Sequence, residues 1–270
     1  MNTVQPETSF QSLLKTWRGA AGISQLRLAG LSGSSQRHIS FLESGRANPS
    51  RVMVFALSEA LAIPFRERNE MLLAAGFAPK YRESPLDSPR LDSVRAAIDQ
   101  ILSAQEPYPA VVLDRLYNVR RANPAAGRLT RFLFDVDSPD SPPPAVAQNT
   151  LRAILHPDGC RERIENWELV AAVLLRRLQA EATSPTAPPD AGALFEELST
   201  GEHVPPDWRR RADLDWRYPM LTIDFRHGDQ RFSLFSTMTT LGAPFDITLQ
   251  EIRIESYFPA DSAAMDFFSR

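Results

Sequence analysis

The stretch Ser24–Gly45, SQLRLAGLSGSSQRHISFLESG, constrains this chain more than any other. It specifies two short helices joined by a tight turn. Ser24 is a good N-cap, and Gln25, Leu26, Leu28, Ala29 and Leu31 continue as about two helical turns. Ser32-Gly33-Ser34 breaks that helix, because Gly33 takes a positive φ at no steric cost. Ser35 or Ser34 caps a second helix, in which Ile39 and Leu42 turn inward and Gln36, Arg37, Ser40 and Phe41 stay on the other side. Gly45 stops it as a C′ residue. A helix-turn-helix whose second helix offers Gln, Arg, His and Ser to solvent suits the edge chemistry of a DNA major groove.

The flanks fit that arrangement. Phe10, Leu13, Leu14 and Trp17 recur at helical spacing ahead of it, after a tail that reads as frayed over residues 1–9. Ser50 caps a fourth helix with Met53, Leu57, Ala60 and Leu61 on one face, and Arg66 to Ala75 makes a fifth with Leu72 and Leu73 inward. The prediction for residues 1–82 is an all-α five-helix bundle. Residues 1–82 hold ten Lys and Arg against five Asp and Glu, whereas the whole chain of 270 residues carries a net −3. A basic module joined to a larger acidic one fits a nucleic-acid reader tethered to something that is not.

Three prolines in 77–92 mark a linker, and a second domain is expected over 92–270. Asp92 starts a helix through Val94, Ile98, Ile101 and Leu102. Ala110–Asp114 and Tyr117–Ala122 read as paired strands, and Asn123-Pro124 opens a further helix. Residues 135–147 form a Pro-rich surface loop. Leu151–Leu155 is a short helix, and Arg161 to Ala182 keeps 3.6-residue spacing through Ile164, Trp167, Leu174, Leu175 and Leu178. Beyond a short helix at 192–199 and an irregular stretch at 201–219, three alternating segments near 221–225, 231–238 and 252–258 predict antiparallel strands. Strands, then helices, then strands describe an α+β domain.

Within the reader, Gln25 is placed to hold a phosphate or to buttress the recognition helix. Gln36, Arg37 and Phe41 point toward base edges, where Gln suits adenine, Arg suits guanine and an aromatic packs on a thymine methyl. Ser35, His38 and Ser40 complete the exposed side. Arg46 and Arg51 suit phosphates, a sequence-blind role. Glu43 would repel phosphate and is expected to partner a helix or an arginine. In the second domain Tyr108, Tyr117, Trp167, Leu174 and Phe235 either wall an apolar pocket, with Asn123 or His156 as polar anchors, or simply fill the core, with Asn123 as a helix cap.

Other chemistry has no positive support. The lone Cys160 excludes an internal disulfide, and His38, His156, His203 and His227 show no metal-ligand spacing. No catalytic motif is present, so no enzyme, metal or cofactor is expected. Neither a signal peptide nor a membrane-spanning run is found, which predicts a cytoplasmic protein without membrane association.

The residues from LLKTWRGAAGISQLRLAGLSGSSQRHISFLESGRANPSR to LLAAGFAP resemble the DNA-binding half of MmyB-like transcriptional regulators of the XRE class. EPYPAVVLDRLYNVRRANPAA, LHPDG, ENWELVAAVLLRRL and RFSLFSTMTTLGAPFDITLQEIRIESYFPAD resemble the second half, so the likeness spans roughly residues 10–262. It implies a PAS-like C-terminal ligand-binding domain, a homodimeric cytosolic regulator of bacterial transcription that binds double-stranded operator DNA, and a small hydrophobic or fatty-acid-like ligand. It also implies Gln25, Gln36, Arg37 and Phe41 as DNA contacts. The chain departs from the family at Ser34, usually apolar, and at Gln36, commonly Thr. The alternative is a C-terminal domain that serves dimerisation or docks a protein partner without a small ligand.

Overall fold

The computed structural model describes residues 9–134, 144–201, 203–211 and 220–269. Most of the loop expected at 135–147, part of the stretch at 201–219 and the tail before Ser9 lie outside the described residues. The chain divides into two compact units: Met1–Pro85 with Ala243–Gln250, and Leu86–Gly242 with Glu251–Arg270. Sequence suggests two continuous segments; the packing breaks that continuity, because residues 243–250 fold with the first unit.

The first unit holds α1 (Phe10–Ala20), α2 (Gln25–Ser32), α3 (Gln36–Glu43), α4 (Arg51–Ala60) and α5 (Phe65–Ala74). Four of these open on a serine. The hydroxyls of Ser9, Ser24, Ser35 and Ser50 each accept from the backbone N–H three residues on, at 3.1–3.3 Å. Such a cap satisfies a donor that the helix itself cannot, and contributes about 1 kcal/mol. Gly33 closes α2 at φ 66°, the left-handed conformation the turn demands. Leu14, Leu28, Ile39, Leu42, Leu57 and Met71 are fully buried between the helices. On α5 the inward pair is Met71 and Leu72, and Leu73 is 58% exposed. Successive helical residues lie 100° apart, so the stripe through Arg68, Met71, Leu72 and Ala75 leaves Leu73 outside it.

One carboxylate joins three of these helices. Arg18 on α1 donates from Nε to Glu43 Oε1 at 2.5 Å and from Nη2 to Oε2 at 3.0 Å. Gln25, the first residue of α2, donates from Nε2 to Oε2 at 2.9 Å. Arg18 Nη1 also reaches the Ile23 carbonyl at 2.9 Å. Burial alone would raise the Glu43 carboxyl; the hydrogen bonds from Arg18 and Gln25 and the charges of Arg18 and Lys15 more than offset it and hold the group below the usual carboxylate range.

The second unit begins with a 3₁₀ turn (Pro89–Leu91) and α6 (Asp92–Ala104). β1 (Ala110–Leu113) and β2 (Val119–Ala122) follow, then α7 (Pro124–Leu133), α8 (Pro144–Ala147), α9 (Thr150–Leu155), α10 (Trp167–Ala182), α11 (Ala191–Ser199) and α12 (Trp208–Arg211). β3 (Ile223–His227) and β4 (Gln230–Thr239) come next; α13 (Ile247–Glu251), which belongs to the first unit in all but its last residue, precedes β5 (Arg253–Pro259), and α14 (Ser262–Phe268) follows. The strands form one antiparallel sheet in the order β2-β1-β5-β4-β3.

One face of the sheet meets α10, with Trp167, Val170, Ala171, Leu175 and Leu178 joining Phe225, Phe232, Leu234 and Tyr257 in a single core. The other face takes α6, tied by the Arg121–Asp99 ion pair at 2.5 Å and by Gln105 Nε2 donating to the Tyr257 carbonyl at 3.0 Å. Hence all four residues of β1 are buried.

The long helix starts at Trp167 rather than Arg161. Ile164 bridges to Phe225, and the Glu165 N–H donates to the Asp224 carbonyl at 2.8 Å, so this stretch extends beside β3 instead of coiling. Residues 144–147, expected as loop, make one helical turn with Pro144 first, where its missing N–H costs nothing.

Asn123 locks the start of this domain. Its Oδ1 accepts from Ala110 N at 3.0 Å and Ala126 N at 2.9 Å, while Nδ2 donates to the carbonyls of Leu102 at 3.3 Å and Tyr108 at 2.8 Å. Asn123→Ala strands these buried backbone groups, so urea unfolding of the full-length protein should show a loss of about 2–4 kcal/mol. A loss under about 0.5 kcal/mol would contradict that lock.

The Glu43 junction gives a pH dependence. Its folded pKa lies below its unfolded value near 4.3, so the ionised group stabilises the fold above that value. The contribution is lost as pH falls through the folded value. Thermal melts should show Glu43→Gln destabilised near neutral pH by about 1–3 kcal/mol, with its deficit against the parent shrinking below about pH 4. A deficit that stays constant with pH would contradict the ionised junction.

Candidate functional site

In the first unit the DNA-facing candidates converge on α3. Ser35 caps it through its hydroxyl, and Ile39 and Leu42 bury its inner side, which leaves Gln36 and Arg37 exposed and His38, Ser40 and Phe41 half-buried. The Arg37 guanidinium lies 5.2 Å from the Phe41 ring centroid and that of Arg46 lies 6.0 Å from the same ring. An aromatic face within about 6 Å attracts a guanidinium, so Phe41 steadies two cations at the exposed side of the recognition helix. Gln25 buttresses that helix through Glu43 rather than standing free. Arg51 belongs to a different pairing: its guanidinium is 5.7 Å from Phe55, which Lys80 Nζ also approaches at 4.5 Å. Lys80 is a cation the sequence reading missed; its position near α4 had no periodic signal.

In the second unit the candidate ligand residues are not gathered at one place. Asn123 is fully occupied by backbone groups. Phe235 stacks on Phe258 at 5.3 Å on the face of the sheet opposite to Leu234 and the α10 core. Tyr108 packs edge-on to Phe268 at 6.1 Å. His156 ends α9, where its Nδ1 accepts from the Asp158 N–H at 3.2 Å. Trp167 is buried, donating from Nε1 to the Ile154 carbonyl at 2.9 Å beneath the Arg161 guanidinium.

Tyr117 and Leu174 do border a common region, the α10-covered face of the sheet. Leu174, Arg177, Leu178 and Glu181 recur along one side of α10 at i, i+3, i+4 and i+7. The Tyr117 hydroxyl donates to Glu181 Oε2 at 2.9 Å, and Arg253 Nη1 donates to Glu181 Oε1 at 2.9 Å and to the Tyr117 oxygen at 3.2 Å. Arg177 and Arg253 each place a guanidinium 5.4 Å from the Tyr117 ring. Burial, with lesser opposing charges around it, pushes the Tyr117 hydroxyl up to about 12, so it stays a donor at neutral pH. A cleft of about 120 Å³ opens here, lined by Arg115, Leu116, Leu178, Glu181 and Arg253 among others. It falls below the roughly 300 Å³ at which drug-sized pockets begin.

Farther along the same face, Ser236, Met238, Glu255 and Tyr257 lie together, since Ser236 pairs with Tyr257 and Met238 with Glu255. Ser236 Oγ donates to Glu255 Oε1 at 2.8 Å and Arg177 Nη2 reaches Met238 Sδ at 2.9 Å. Burial raises the Glu255 carboxyl against the lowering pull of Ser236, Tyr257 and Arg177. Phe232 and Leu234 on this face of β4 are buried, whereas Ser236, beyond the last residue paired with β3 and flanked by β5 alone, is exposed. Arg177, Glu181, Ser236, Arg253, Glu255 and Tyr257 were all missed from sequence. Their one signal is the alternation in Arg253-Ile254-Glu255-Ser256-Tyr257, which puts the three polar side chains on one face.

Among the described residues no helix is long and apolar enough to cross a membrane. No curated protein matches the chain. A solved structure described as an RNA-binding light-oxygen-voltage receptor matches at 13% identity, covering 97% of this chain and 62% of that one, with a TM-score of 0.25. The chain thus spans about six-tenths of that structure, and so loose a superposition bears on neither fold nor function. The profile of a helix-turn-helix family matches residues 14–68, the segment that carries the serine-capped helices and the Glu43 junction. That of the MmyB-like transcription regulator ligand binding domain matches residues 94–270, covering the sheet and its helices. With a helix-turn-helix reader ahead of that domain, the chain belongs to the MmyB-like transcription regulators.

Proposed function

We propose that this DNA-binding transcription regulator works as a homodimer whose operator affinity is set by a small hydrophobic or fatty-acid-like molecule held in the C-terminal unit. Residues 1–82 serve as reader and 92–270 as sensor, in the cytoplasm. Gln36, Arg37 and Phe41 read base edges, while Ser35, His38 and Ser40 line the approach. Arg46 and Arg51 hold phosphates, and Gln25 sets the pitch of α3 through Glu43. Two readers must present their helices about 34 Å apart to fit successive major grooves. A ligand that favours one arrangement of the dimer therefore changes affinity by population shift.

The observation that carries the ligand reading is Ser236. Ser236 lies exposed on the face of β4 that carries the buried Phe232 and Leu234, past the end of the β3 pairing, with Glu255 and Tyr257 beside it on β5 and Arg177 reaching the neighbouring Met238. That combination suits a molecule with an apolar body and one hydrogen-bonding end. Tyr117 and Leu174 border the same face.

Two measurements test the assignments. After selection of a duplex from random DNA, Arg37→Ala should lose about 1–3 kcal/mol on the selected sequence and little on scrambled DNA. Arg46→Ala should weaken both alike and reduce the salt slope by about one. Unchanged selectivity in Arg37→Ala removes Arg37 from base reading.

For the sensor, straight-chain fatty acids at a hundredfold excess over their Kd should raise the melting temperature of the full-length protein by about 5–10 °C. Ser236→Phe should abolish the shift. No shift across the chain-length series, with no small molecule released on denaturing the purified protein, favours a C-terminal unit that serves dimerisation or protein docking alone.

A further inference from the structure

β4 and β5 pair directly, up to Thr239 opposite Ile254. Two to five residues suffice to close such a hairpin, yet residues 240–252 lie between the strands. The surplus is Ala243–Gln250, which packs as part of the DNA-reading unit.

Its attachments there are specific. Asp246 is 3% exposed; its Oδ1 accepts from Ser84 N at 3.2 Å and Thr248 N at 3.0 Å, and its Oδ2 from Ser84 Oγ at 2.6 Å. The Ile247 N–H donates to the Arg82 carbonyl at 2.8 Å. Gln250 Oε1 accepts from the Phe65 N–H at 2.7 Å. That last donor opens α5, whose N-cap position is Pro64 and offers no side-chain acceptor. The missing cap of a reader helix is thus supplied by the connector of two sensor strands. α5 in turn contributes Met71 and Leu72 to the reader core.

The residue that follows the connector is held within the second unit. Glu251, the residue after Gln250, accepts from Arg115 Nη1 at 3.0 Å, and Arg115 lines the cleft that contains Glu181 and Arg253. The slack is small: 240–242 span at most about 11 Å and 251–252 about 7 Å.

We propose that residues 243–250 are a transmission strap, in which Gln250 and Asp246 are positioning residues of the DNA reader and the Arg115–Glu251 pair reports the state of the sensor cleft to them. The proposal rests on the sensor reading only for the direction of the signal, and its test uses no ligand, so the two fail separately.

The test is amide hydrogen exchange on the full-length protein, following Phe65–Arg68 and Asp246–Gln250. Gln250→Ala should speed exchange at Phe65–Arg68 about fivefold, the size of a lost cap. Arg115→Ala, altered only in the sensor unit, should speed the same amides by at least twofold, and the double variant should go no further than the faster single one. If Arg115→Ala loses its cooperative melt, Glu251→Gln breaks the same pair at constant length and takes its place. Exchange at Phe65–Arg68 that stays at the parent rate in either single variant overturns the strap, and so do effects that simply add.

Discussion

Glu43 sits where α1, α2 and α3 meet, and the placement of the recognition helix follows from how its two oxygens are used. Both are engaged by Arg18, and one also by Gln25, so α3 cannot rotate without unpairing a buried charge. A buried ion pair adds little net stability over an apolar substitute, but loss of one partner is expensive. Its contribution is therefore registry. With α3 fixed, Phe41 stands at the surface with Arg37 and Arg46 over its ring, and the exposed edge of the helix keeps one geometry toward a groove.

The sensor unit uses charge differently. Tyr117, Glu181, Arg177 and Arg253 place two cations and one anion around a buried phenol, and Glu255 adds a carboxyl whose burial favours its neutral form. These groups lie on the same side of the sheet as an otherwise hydrophobic core. Buried polar groups persist when they are hydrogen-bonded to one another, as Tyr117, Glu181 and Arg253 are. The Arg115–Glu251 contact begins at the rim of this cluster, and Glu251 is the residue after Gln250, which caps α5.

Much of the reader was legible because its signals are local. Ser24, Ser35 and Ser50 cap the helices they precede, and Gly33 marks a turn only a positive φ can make. Ile39 and Leu42 define an inward stripe by spacing alone. Leu73 was misplaced because an apolar pair at the edge of a stripe gives no indication which member is inside; Met71 settled it by packing. In the sensor, long-range contacts decided matters that periodicity could not. Ile164 and Glu165 fit a helical pattern but bond to β3, and β5 became a central strand covered on both faces, so Arg253, Glu255 and Tyr257 point inward where alternation suggests solvent. Residues 243–250 carry no local sign of which unit they join, since their partners Ser84 and Phe65 lie far away in sequence.

In the proposed mechanism, occupancy of the C-terminal unit changes DNA affinity. Its most direct test is the Kd of the full-length protein for one selected duplex, measured without and with a fatty acid already shown to raise the melting temperature. Coupling of ordinary strength predicts a change of at least about fivefold. An identical Kd with the ligand bound would rule that mechanism out.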